Sequence, residues 1–123
     1  MPAAARLLIQ TIRGVTVVNF QDTSILDSAQ VEQIGEQLHE LVDNQARKKL
    51  ILDFSKVQFL SSSALGILIT LRKKADAIKG KVVFCALRKE LRQVFKITKL
   101  EKLFSFYDDE DDALASFGVT AAG

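Results

Sequence analysis

Apolar positions along this chain switch between a spacing of two and a spacing of three to four, and the switches mark its elements. Leu7-Leu8-Ile9-Gln10-Thr11-Ile12 and Val15-Thr16-Val17-Val18-Asn19-Phe20 read as strands, and the Arg13-Gly14 turn is short enough to force them into antiparallel pairing. Gln21 to Leu26 reads as a polar loop. Val31, Ile34, Leu38, Leu41 and Val42 then recur at helical spacing, with Asp27 placed to cap the helix and Gln30 three residues on. Leu50-Ile51-Leu52-Asp53-Phe54 is short and almost wholly apolar, the pattern of a parallel strand buried on both faces. A second helix runs from Leu65 to Ile78 and stops at Gly80. Val82 to Ala86 is another buried strand, and Leu91, Val94 and Phe95, with Thr98, mark a third helix. Leu103 to Tyr107 is a last strand and Asp109 to Phe117 a last helix.

The order is therefore β-β-α-β-α-β-α-β-α, an α/β fold. Strands alternating with helices imply right-handed crossovers and a mostly parallel mixed sheet, with one antiparallel strand from the opening hairpin and helices mainly on one face. Leu52, Leu68, Val83 and Phe84 are expected in the core. No repeat or Pro/Gly/Ser-rich linker interrupts the pattern, and the only proline is Pro2, so residues 1–123 are expected to form a single domain with an ordered core of about 6–118. Met1 to Ala5 and Thr120 to Gly123 are expected to be loose.

Composition narrows the classes. A hydrophobic content of 48% with 26% charged residues is globular rather than disordered. A net charge of +2 is too small to drive binding to nucleic acid or to a membrane surface. The one cysteine, Cys85, lies in an apolar run, so no disulfide forms within the chain and a reducing, cytoplasmic setting is expected. No stretch approaches the roughly 20 apolar residues of a membrane span, and no signal-peptide core opens the chain.

Catalytic constellations are missing from the pattern, and the expectation is a protein that is not an enzyme, with no catalytic residue, metal site or cofactor. His39, the sole histidine, lacks a second histidine or cysteine partner and reads as a solvated helix-face residue. Neither a G-x-G-x-x-G nor a G-x-x-x-x-G-K-S/T phosphate loop occurs. Cys85 reads as core, since a buried thiol away from a base stays protonated. Asp108-Asp109-Glu110-Asp111-Asp112 opens the last helix, where acids complement the dipole; a divalent-metal or basic-partner patch is the competing reading. Eleven basic residues fall between Arg72 and Lys102 against three acidic ones. They read as solvated helix faces, or else as a surface for an acidic protein partner, with no interleaved aromatics to stack on bases.

Candidate chemistry concentrates between Asp53 and Gly66. There Ser61-Ser62-Ser63 stands where a loop, Phe59 to Ser63, gives way to the apolar helix. The first turn of a helix leaves N–H groups without intrahelical partners and carries the positive end of the macrodipole. A serine at that place serves either as an N-cap or as a hydroxyl whose phosphate those N–H groups stabilise.

The run Leu52-Asp53-Phe54-Ser55…Val57…Phe59-Leu60-Ser61-Ser62-Ser63-Ala64-Leu65-Gly66 resembles the signature of STAS domains, and most closely the single-domain anti-sigma factor antagonists. The resemblance covers essentially the whole chain: Gly80 to Leu87 is similar to the family's fourth strand and Ala113 to Gly118 to its closing helix. It implies the STAS fold, in the β-β-α-β-α-β-α-β-α order. The family pattern is usually Asp-Ser-Ser/Thr-Gly, so Ser62 matches the phosphoacceptor, Ser61 replaces the Asp and Ala64 replaces the Gly. The family's glycine-acid turn after the second strand is altered here to Phe20-Gln21-Asp22-Thr23-Ser24, with Asp22 in the role of the acid. The resemblance implies a partner-binding face of Asp22, Phe59, Leu60, Ser61, Ser62, Ser63, Ala64 and Leu65, gathered into one patch. Helix register favours Ser62 over Ser63, which is expected to turn toward the body of the helix. The implied partner is an anti-sigma factor of the serine-kinase type, whose sigma factor is released on binding. The alternative within the family is a scaffold subunit of a multi-protein stress-signalling complex, and a weak homodimer is left open.

Overall fold

A computed structural model describes residues 7–119, so the segments expected to be loose lie outside the described residues. In chain order the elements are β1 (Leu7–Ile12), β2 (Val15–Phe20), β3 (Ser24–Ile25), α1 (Ser28–Asp43), β4 (Lys49–Asp53), β5 (Phe59–Leu60), α2 (Ser62–Ala77), β6 (Lys81–Cys85), α3 (Lys89–Ile97), a 3-10 turn (Leu100–Lys102), β7 (Ser105–Tyr107) and α4 (Glu110–Ser116). The hairpin closes through Arg13 at φ 49° and Gly14 at φ 84°, the two left-handed residues that a tight turn between right-twisted strands requires. Its register runs without a bulge from Leu7↔Phe20 to Ile12↔Val15. The five-stranded sheet has the order β1-β2-β4-β6-β7, antiparallel only at β1–β2 and parallel elsewhere.

Burial explains why the strand sequences read as they do. On one face Val18, Phe20, Leu50, Leu52 and Phe84 pack against α1, α2 and α3. On the other, Val15, Val17, Ile51, Val83 and Cys85 pack under Ala113 and Leu114 of α4. Helices therefore lie three to one, and β4 and β6, covered on both sides, carry apolar side chains in both directions. The expected core residues Leu52, Leu68, Val83 and Phe84 are all buried. Phenylalanine rings form the centre: Phe84 lies 5.2 Å from Phe54, 5.6 Å from Phe95, 4.4 Å from Phe104 and 5.6 Å from Phe106 between ring centroids.

Several elements differ from the sequence expectation. The polar loop Gln21 to Leu26 contains β3, which pairs in parallel with β5 as a separate two-stranded ribbon, Ser24↔Phe59 and Ile25↔Leu60. Two residues are too few to show a period. Helix α2 begins at Ser62 rather than Leu65, because its first turn is hydroxylic and adds nothing to the apolar pattern. Gly80 does not end that helix by taking the left-handed conformation; Lys79 does, at φ 61°. Gly80 is needed for close approach instead, since a Cβ there would sit 2.6 Å from the Lys48 carbonyl oxygen. The segment from Leu103 narrows to a three-residue strand behind the 3-10 turn.

Candidate functional site

The site begins where β4 ends. The Asp53 carboxylate accepts the Ser55 N–H at 2.8 Å, and Val57 N donates to the Phe54 carbonyl at 2.9 Å, which folds the chain back on itself. Buried Phe54 and Val57 plug this loop into the core. The ribbon then sews it to the loop after β2: Gln58 N donates to Thr23 O at 2.7 Å and Ser61 N to Ile25 O at 3.0 Å. Further polar ties join the same two loops and the start of α1, with Lys56 Nζ donating to Gln21 Oε1 at 2.9 Å and Gln30 Nε2 to Asp22 Oδ2 at 2.9 Å. Asp22 and the start of α2 are thereby held on one side of the molecule.

Of the three serines, Ser61 is the cap. Its backbone is extended (φ −80°, ψ 164°), and its Oγ accepts the Ala64 N–H at 3.1 Å. Ser62 and Ser63 follow in the first helical turn, and both are exposed. Ser63 does not turn toward the body of the helix as expected, because the buried side of α2 is set by Ala64, Leu65, Leu68, Leu71 and Ala75. Ser62 is not the capping residue, and it stands in the first turn, where the N–H groups of Ser62 and Ser63 have no intrahelical acceptor.

Exposure divides the remaining residues. Phe59 is 55% exposed and Leu60 half-buried. Ala64 and Leu65, at 6% and 8% exposure, belong to the core and support the face from beneath rather than contributing to its surface. Leu26, just after β3, is 53% exposed and adds apolar surface that the motif does not mark. The signal was the pair Ile25-Leu26, in which one apolar residue points inward and its neighbour must point out.

Other candidates resolve into structural roles. His39 is half-buried, with Nε2 3.5 Å from the Ile67 carbonyl at the α1–α2 seam, rather than solvated on a helix face. Burial and nearby carboxylates push the Cys85 thiol far up, so it stays protonated. Asp109 caps α4 by accepting the Asp112 N–H at 2.9 Å. Glu110, though part of the acidic run, turns inward: Asn19 Nδ2 donates to its Oε2 at 2.8 Å, which brings its carboxyl beside Asp53, the ladder partner of Asn19. That contact, with burial and the Asp53 charge, pushes Glu110 up to about 7. Asp53 loses solvation on burial, but hydrogen bonds from Glu110, Ser55 and Asn19 outweigh that and hold it below its usual range. Arg92 stacks 4.5 Å over the Phe106 ring. Among the described residues no group of three or more His, Cys, Asp or Glu is arranged to hold a metal ion, and no helix is long and apolar enough to cross a membrane.

The sequence profile of the STAS domain matches residues 6–113. The chain belongs to the STAS domain family. BtrV of Bordetella bronchiseptica, named provisionally as an anti-sigma factor antagonist, is 26% identical over 112 residues, covering 91% of this chain and 94% of that protein. An anti-sigma F factor antagonist of Paenibacillus polymyxa is 24% identical over 109 residues, covering 89% and 92%. The crystal structure of an anti-sigma factor antagonist from Mycobacterium paratuberculosis superposes with a TM-score of 0.81 at 27% identity, covering 97% of this chain and 98% of that one.

In this STAS domain the departure at Ser61 gains a physical meaning. The position is the N-cap of α2, and serine caps about as well as aspartate. Set against the Asp that the resemblance implies here, Ser61 keeps the helix start and lacks only the negative charge. Replacing Ser61 with alanine should leave the Ala64 N–H without its acceptor and cost about 1 kcal/mol, read as a lower urea midpoint with an unchanged m-value. Ser61→Asp should leave the midpoint within about 0.5 kcal/mol of the parent.

Proposed function

We propose that this STAS domain is an anti-sigma factor antagonist. It binds an anti-sigma factor of the serine-kinase type through Asp22, Phe59, Leu60 and Ser61 to Ser63, and so frees the sigma factor that the partner held. Leu26 joins that face, and Ser62 is the phosphoacceptor. The names of the relatives support the antagonist role. The observation that carries the site is the division of labour among the serines: Ser61 holds the cap, which leaves Ser62 exposed at the positive end of α2.

The mechanism needs no bond-making by this chain. In the unphosphorylated form the face offers exposed Phe59 and Leu26 for burial, beside uncharged hydroxyls that pack without a large desolvation cost. Phosphorylation adds about −1.5 to −2 charge. Within the free domain the helix N-terminus tolerates that charge. In a packed interface the same charge loses its water without gaining a built counter-charge, so the complex dissociates. The domain acts on its own in the cytoplasm in this reading.

Incubation with the cognate kinase and ATP should place phosphate on Ser62. Ser62→Ala should abolish labelling, while Ser63→Ala leaves some. Ser61→Asp should raise the labelling rate by restoring the acid beside the acceptor; an unchanged rate would show that the missing carboxylate is not what limits the reaction. If no kinase labels any of the three serines while the chain co-purifies with other STAS proteins, the scaffold reading replaces the switch.

A further inference from the structure

Two carboxyl groups far apart in the sequence, Asp53 and Glu110, come together at the carboxyl edge of the sheet, and the proposed partner face does not use them. Asp53 ends β4 and is 6% exposed; Glu110 opens α4. Each already has a neutral donor: Asn19 Nδ2 at 2.8 Å on Glu110 and the Ser55 N–H at 2.8 Å on Asp53. Asn19 pairs with Asp53 in the β2–β4 ladder and donates to Glu110, so the two carboxyls stand beside each other, where two ionised carboxylates repel and a proton on one of them is favoured. An open depression of about 220 Å³, reaching Leu8, Gln21 and Lys56, gives the pair access to water.

The surroundings reinforce single protonation. From β6 the neutral Cys85 thiol faces Asp53, and Asp109 and Asp111 add negative charge from the start of α4. Among the described residues Lys56 is the one cation in the lining of the depression, and its Nζ is engaged by Gln21. From β2 comes the neutral Asn19 and from β1 the apolar Leu8.

Asp53 also sits at the root of the loop Phe54 to Gln58, because the same carboxylate that meets Glu110 accepts the Ser55 N–H. A chain of contacts runs outward from there: Glu110 to Asn19, the Asn19 carbonyl to Gln21 Nε2 at 3.3 Å, and Gln21 Oε1 to Lys56. We propose that Asp53 and Glu110 form a proton-sharing latch that fastens α4 to the ends of β2 and β4 and holds the Phe54–Gln58 loop, so that loss of the shared proton to solvent loosens both together. That this loop leads into a partner face rests on the function proposed above; the latch itself does not.

The sign follows from linkage. Glu110 binds its proton more tightly in the latched state than at its ordinary value of 4.5, so opening becomes easier as pH rises from there to about 7 and levels off above. Asp53 is shifted the other way, so its contribution is present above its ordinary 3.8 and lost as pH falls below that.

Amide hydrogen exchange on the full chain, without partner, tests this. Protection factors, which remove the intrinsic base catalysis, should fall about tenfold from about pH 5 to about pH 7 at Ser55 and Gln58 and at Ala113 and Leu114, a figure already reduced for partial solvent exposure. Leu38 and Leu41 in α1 should stay level over the same range. Glu110→Gln, which keeps a donor to Asp53 but cannot titrate, should flatten the response at all four positions. Asp53→Asn should flatten it as well, because Glu110 then has no charged neighbour to share with, and it serves if the first variant folds poorly. An equal fall in the parent and both variants overturns the latch, and so does a fall in α4 with the loop unchanged. Because no partner is present, these outcomes stand apart from any failure of anti-sigma binding.

Discussion

Replacing Phe84 with alanine should destabilise the domain by about 3–5 kcal/mol, the range for truncating a fully buried phenylalanine. Phe84 sits toward the end of β6 with no exposed surface and touches the rings of Phe54 after β4, Phe95 on α3, Phe104 before β7 and Phe106 within it. Those neighbours are tied to elements held by their own backbone ladders, so they cannot collapse together into the vacated space. The cavity term therefore adds to the lost transfer free energy. Urea unfolding with a shared m-value measures it. Ile97→Ala is the internal contrast: at 76% exposure, its removal should change stability by no more than about 0.5 kcal/mol. A Phe84→Ala loss no larger than that of Ile97→Ala would show that the ring cluster is not what fastens α3 and β7 to this face of the sheet.

That cluster shows which parts of the fold are legible in the sequence. β4 and β6 announce themselves because a strand buried on both faces must be apolar at every position, and the Arg13-Gly14 turn fixes the hairpin by length alone. α1 is equally plain, since its core face repeats over four turns and Asp27 caps it, accepting the Gln30 N–H at 3.1 Å. The β3–β5 ribbon is silent, because a two-residue strand has no period. The motif places Ala64 and Leu65 on the partner face, whereas their spacing to Leu68, Leu71 and Ala75 sets them on the buried stripe of α2. Glu110 was illegible for a different reason. Among five consecutive acids nothing marks the one that turns inward, and its bond to Asn19 spans 91 residues of sequence. Only the topology, which returns α4 to the carboxyl edge of β2 and β4, brings them together.

The helix start at which we propose that Ser62 is phosphorylated separates loss of binding from loss of fold. Ser62→Asp should weaken anti-sigma binding by at least tenfold, about 1.4 kcal/mol, when measured by calorimetry with the purified partner. An aspartate carries less charge than a phosphoserine, so the effect of modification itself should be larger. In the free domain the carboxylate stands in the first turn of α2, where the helix dipole favours it by about 0.3–1 kcal/mol. The melting temperature of Ser62→Asp should therefore equal or exceed that of the parent while affinity falls. A merely disruptive substitution would lower both. Ser62→Ala, which adds no charge and leaves the Ser61 cap intact, should bind within about threefold of the parent, roughly 0.6 kcal/mol. Phe59→Ala should weaken binding without touching the charge, since the exposed ring is the largest apolar surface beside the serines. Unchanged affinity in Ser62→Asp would refute a contact at Ser62. Unchanged affinity in both Ser62→Asp and Phe59→Ala would move the partner off this face altogether.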